Sequence, residues 1–82
     1  MDAVYYVWEE DTFRLALEEL EKRKASGWRL DVLCRVSMAK RVVVDGMTDG
    51  GHHYICFNFS DDLLARFPDM AKKLEELHGV IL

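Results

Sequence analysis

Eighty-two residues hold one hydrophobic core and leave no room for a second, so the chain reads as a single domain over residues 1–82. Half of the residues are apolar and 32% are charged, which excludes a disordered tail. Fifteen acidic against eleven basic side chains give a net charge of −4, a balance opposed to a protein whose main task is gripping phosphate backbones.

No stretch approaches the roughly 18 apolar residues that span a bilayer. The Met1-Asp2 start shows no basic segment followed by an apolar one. The expectation is a cytoplasmic protein without a membrane partner. Cys34 and Cys56 lie inside apolar runs and form no Cys-x-x-Cys pair, so two reduced, buried thiols are expected in preference to a disulfide.

Ala3 to Trp8 is a continuous run of β-branched and aromatic residues, predicting a strand apolar on both faces. Glu9, Glu10 and Asp11 place negative charge at a helix N-terminus, with Asp11 or Thr12 as the cap. Phe13, Ala16, Leu17 and Leu20 then recur at helical spacing. Lys22, Arg23 and Lys24 suit the C-terminal end of the dipole, and Ser26-Gly27 stops the helix.

From Trp28 the period becomes two, with Trp28, Leu30, Val32, Cys34 and Val36 alternating against Arg29, Asp31, Leu33, Arg35 and Ser37. Lys40 to Asp45 predicts the next strand. Asp45-Gly46 and Asp49-Gly50-Gly51 predict a hairpin loop, and His52 to Phe59 the strand that follows it. Ser60 caps a last helical region that Pro68 divides into a short turn through Phe67 and a longer helix from Pro68 to His78. Met70, Leu74 and Leu77 are its inward residues. Gly79 ends that helix, and Val80-Ile81-Leu82 reads as a short terminal strand or a hydrophobic plug.

The order is β-α-β-β-β-α with a short C-terminal β as an option. It predicts an α+β fold, a two-layer open sandwich whose mainly antiparallel sheet carries its helices on one face. The other face is then open. If the inner set is the more apolar one, the open face carries Arg29, Asp31, Leu33 and Arg35, then Arg41, Val43 and Asp45, then His52, Tyr54, Cys56 and Asn58, with Tyr5 and Val7 from the first strand. Apolar and aromatic residues mixed with arginines on a sheet face point to contact with a partner.

Catalytic and cofactor motifs are missing. Neither a phosphate-binding glycine loop, nor a Gly-x-Ser-x-Gly elbow, nor a His-Glu-x-x-His is present. His52 and His53, adjacent on a strand, point to opposite faces and cannot share a metal ion. The Asp45-x-x-x-Asp49-Gly50 loop lacks the alternating oxygen ligands and distal Glu of a calcium loop. His52 and Cys56 share a strand face about 13 Å apart, too far for a nucleophile and its base. No catalytic residue, cofactor or metal is expected.

The order of helix, three strands and helix resembles in outline a double-stranded-RNA-binding domain, and an aromatic sheet face resembles single-strand RNA platforms. Asp61 and Asp62, however, open the last helix where the first family has lysines, and the glycine-aromatic signature of the second is missing. The expected function is a small non-enzymatic interaction or regulatory module, such as an inhibitor of a larger nucleic-acid-processing protein, dimeric through its sheet or terminal strand. Its contact residues are Tyr5, Val7, Arg29, Leu33, Arg35, Arg41, Val43 and Tyr54, with Glu18 and Glu19 offering negative charge to a basic target. A nucleic-acid-binding domain using Arg29, Arg35, Arg41 and Tyr54 is the competing reading.

Overall fold

The computed structural model describes residues 3–36 and 38–78, apart from the side chains of 31–36 and 78. In chain order the elements are β1 (Ala3–Val7), α1 (Glu10–Ala25), β2 (Arg29–Val36), β3 (Ala39–Thr48), β4 (Gly51–Ser60), α2 (Asp61–Arg66) and α3 (Pro68–His78). This is the α+β order expected from the sequence. The optional C-terminal strand at Val80-Ile81-Leu82 lies outside the described residues.

The sheet order is β1-β4-β3-β2. The hairpins β2–β3 and β3–β4 are antiparallel, as their short connections require, and β1 lies parallel to β4 with Tyr5 opposite Phe57. The sheet is therefore mixed, antiparallel in two of its three pairings. It follows that α1 carries the chain from β1 at one edge to β2 at the other.

Phe13, Ala16, Leu17 and Leu20 form the buried stripe of α1. They meet Leu30, Val42, Val44, Phe57 and Phe59 from the sheet, with Leu63 and Leu74 from the last two helices. Phe13 and Phe59 pack with ring centroids 5.4 Å apart. Met70 and Leu77 close the core from α3. Two polar links tie α1 to α3: Lys24 Nζ donates to the carbonyl of Leu77, and Lys73 approaches Glu21 at 3.7 Å.

The helix ends follow local chemistry. Gly27, at φ 94, ends α1. Trp28 N–H donates to Arg23 O and Gly27 N–H to Lys24 O, each at 3.0 Å, the paired bonds of a Schellman cap. The start of α1 differs from expectation. Glu9 occupies the cap position without a side-chain cap bond, Asp11 lies within the first turn, and Thr12 Oγ1 donates back to Glu9 O at 3.1 Å. Ser60 caps α2 as expected, its hydroxyl accepting from Leu63 N–H. No helix is long and apolar enough to cross a membrane among the described residues.

Two details of the sheet depart from simple alternation. Asp45-Gly46 is not a turn: β3 runs through both to Thr48, and the reversal is confined to Asp49 and Gly50, with the positive φ on Gly51. On the other side, Val32 pairs with Val42 while Cys34 pairs with Arg41, so Leu33 is an extra residue in the β2–β3 ladder.

Candidate functional site

Cross-strand registers sort the side chains onto two faces. Val42, Val44, Phe57 and Phe59 belong to the core under the helices, so Arg41, Val43 and Asp45 of β3 and His52, Tyr54, Cys56 and Asn58 of β4 lie on the open face, as the sequence predicts. β1 is placed the other way. Val7 is 3% exposed within the core, and Tyr5 stacks on Phe57 at 5.3 Å on the helix side. The open face receives Val4 and Tyr6 instead. The expectation for Tyr5 and Val7 is thereby corrected. A strand apolar on both sides offers no polar contrast from which to read its orientation.

The middle of the open face is closed. Val43, Cys56 and Asn58 are buried there without joining the main core. Their same-face neighbours in the register are Val4, Tyr6, Arg41 and Tyr54. Val43, expected to be a contact residue, is 5% exposed. Tyr54 is partly exposed and stacks on His52 at 5.7 Å, and His52 Nδ1 lies 3.0 Å from Asp45 Oδ1. Arg29 is exposed and opposite Asp45 at the start of β2. The side chains of Leu33 and Arg35 lie outside the described ones. No group of three His, Cys, Asp or Glu is placed to hold a metal among the described residues.

Two acidic residues of α1 are compensated along the helix itself. Glu19 pairs with Arg23 at 2.8 Å and Glu10 with Arg14 at 3.0 Å, both one helical turn apart. Glu18 remains exposed on α1.

Exposed apolar surface gathers around β1, which the sequence marks as apolar on both faces and from which it takes Tyr5 and Val7 as contact residues. Tyr5, Tyr6 and Trp8 are 52%, 61% and 64% exposed, and Val4 and Leu15 are exposed beside them. The outer edge of β1 pairs with no strand among the described residues. Each face of that edge opens on a hollow. Between β1 and α1 a groove of about 520 Å³ runs over Tyr5, Ile55 and Phe57, walled by Leu15, Glu18 and Lys22. On the open face, Tyr6 and Trp8 border a depression of about 360 Å³ that reaches Arg41 and Asn58.

Comparison with known proteins gives no relative. No family model, curated protein or solved structure matches the chain. Function is therefore argued from the geometry alone.

Proposed function

We propose that this protein is a small interaction module that binds protein partners by strand addition to the outer edge of β1, and that its first partner is a second copy of itself. The apolar edge of β1, unpaired among the described residues, carries this reading. An edge strand of this kind, without charge, proline or bulge between Ala3 and Trp8, is a template for another strand. In strand addition the backbone ladder supplies affinity while pockets on the two faces receive alternate side chains. The groove beside α1 is placed for that task.

A second copy suits the edge because the strand is self-complementary. Antiparallel pairing about a two-fold axis sets apolar residues against apolar residues on both faces. The groove wall carries Glu18 and, one turn on, Lys22, a pair that a two-fold axis can match to its own image. At these exposures the side chains around β1 present about 500 Å² per protomer, taking about 200 Å² for a whole aromatic side chain. Pairing then buries about 1,000 Å², the lower bound for a specific interface. A foreign segment competes for the same edge, which is how such a module exchanges self-association for a target. The pairing of Glu10 with Arg14 and of Glu19 with Arg23 supports this surface over an acidic helix face as the contact region.

Sedimentation velocity of the intact chain tests the reading. Wild type is expected as a dimer, and the double variant Val4→Lys/Tyr6→Lys as a folded monomer, since lysine on an edge strand opposes pairing. A monomeric wild type at 100 μM overturns the self-pairing.

A further inference from the structure

One cation on the open face is answered by no carboxylate among the described residues. Arg41, half-buried on β3, donates from Nε to Oδ1 of Asn58 directly across on β4, at 3.0 Å. Among the described residues the arginine–carboxylate pairs belong to Arg14, Arg23 and Arg66, and Arg41 enters none. Asn58 is 3% exposed, and its Nδ2 has no hydrogen-bond partner among the described residues. A buried amide nitrogen that gives up water and gains no acceptor is a net cost to the fold, and such groups are few in folded proteins.

Both groups line the depression that Tyr6, Trp8, Met38 and Ser60 enclose. No Asp or Glu lies among its described lining residues. The Tyr6 and Trp8 rings stand 5.9 Å apart at 53° along one wall. Met38 stands on the rim with φ 64, a left-handed backbone that a non-glycine residue adopts at a cost and that gathers at ligand-contacting positions.

We propose that this depression is a carboxylate-binding site, with Arg41 and Asn58 holding the anion and Tyr6 and Trp8 covering the group that carries it. Asn58 fixes the guanidinium by engaging Nε, which leaves the two terminal nitrogens for a carboxylate, whose planar pair of oxygens matches their fork. The walls suit a planar or apolar carrier. One guanidinium among the described lining residues, in a chain of net charge −4, suits a single negative charge and not a polyphosphate. The ligand is a free aromatic acid or an acidic side chain of a bound peptide. The site does not require β1 to be paired, so it stands or falls separately from the self-association.

The test is a nitrogen-15 NMR titration of the intact chain, read at the Trp8 indole N–H and the Arg41 Nε–H. Sodium benzoate is the probe, benzamide its neutral counterpart, and inorganic phosphate the competing anion. Benzoate is expected to bind saturably and at least tenfold more tightly than benzamide. Arg41→Gln is expected to abolish binding. Asn58→Asp places a carboxylate against Arg41 from within, and is also expected to abolish it while the chain stays folded. Acetyl-valyl-glutamyl-phenylalanine amide, titrated alongside, distinguishes the sources: tighter binding than benzoate assigns the site to a peptide side chain, weaker binding to a free acid. Equal binding of benzoate and benzamide, wild-type affinity for benzoate in Arg41→Gln or in folded Asn58→Asp, or preference for phosphate overturns the proposal.

Discussion

The indole of Trp28 lies so close over Gly46 that a β-carbon on Gly46 would fall 2.1 Å from Cδ2 of the ring. The same indole carries the guanidinium of Arg23 at 4.6 Å from its centroid. Gly46 is therefore a packing residue within β3, where the missing side chain lets a large ring cross the strand. Trp28 links the end of α1 to the third strand.

Gly46→Ala is expected to destabilise the fold by about 1–3 kcal/mol, the usual cost of overpacking a closed site. Urea unfolding followed by circular dichroism measures it. Trp28→Leu in the Gly46→Ala background removes the obstructing ring, so the two changes together are expected to cost less than the sum of each alone. Strict additivity would contradict the close packing.

Met38 gives a change in the opposite direction. Its φ of 64 is unfavourable for a residue with a β-carbon, and its side chain is 80% exposed, so little packing is lost by removing it. Left-handed backbone costs a non-glycine residue roughly 1–2 kcal/mol, while glycine gives back part of that through the entropy of the unfolded chain. Met38→Gly is expected to stabilise by up to about 1 kcal/mol on balance. Thermal unfolding with a midpoint below that of wild type would contradict this.

These two positions also show where the sequence is readable. α1, the Ser60 cap and the division at Pro68 all follow from short-range chemistry: helical spacing, a cap hydroxyl and a ring that cannot continue a helix. Gly46 follows asparagine-like turn logic when read beside Asp45, and only the position of Trp28 in space gives its actual role. Likewise, the open-face positions of Arg41, Val43 and Tyr54 follow from alternation. The orientation of β1 does not, because Tyr5 and Tyr6 look alike from the sequence. The pairing of Arg41 with Asn58 depends on the β3–β4 register, seventeen residues apart along the chain, and no local pattern announces it.

Ser60 tests the boundary between sheet and helix. Its hydroxyl accepts from Leu63 N–H, and Leu63 is fully buried in the core. Ser60→Ala is expected to cost about 1 kcal/mol, the usual loss on removing an N-cap acceptor, while Ser60→Asp retains most of the stability because it keeps the acceptor. If Ser60→Ala and Ser60→Asp unfold together with wild type in urea, the cap contributes nothing.

The competing nucleic-acid reading makes a separate demand on the open face. Salt-sensitive binding to phosphates requires several cations able to displace counterions together. On that face the described arginines are Arg29 and Arg41, and Asp45 brings negative charge beside His52 and across from Arg29. Tyr54, the aromatic residue that the competing reading names, is already stacked on His52. We therefore expect no gel shift of single- or double-stranded RNA or DNA at 100 mM salt and 10 μM protein. Tight retention that weakens with salt and disappears in Arg41→Gln would instead make the open face a nucleic-acid surface and remove the reason to assign contact to the β1 edge.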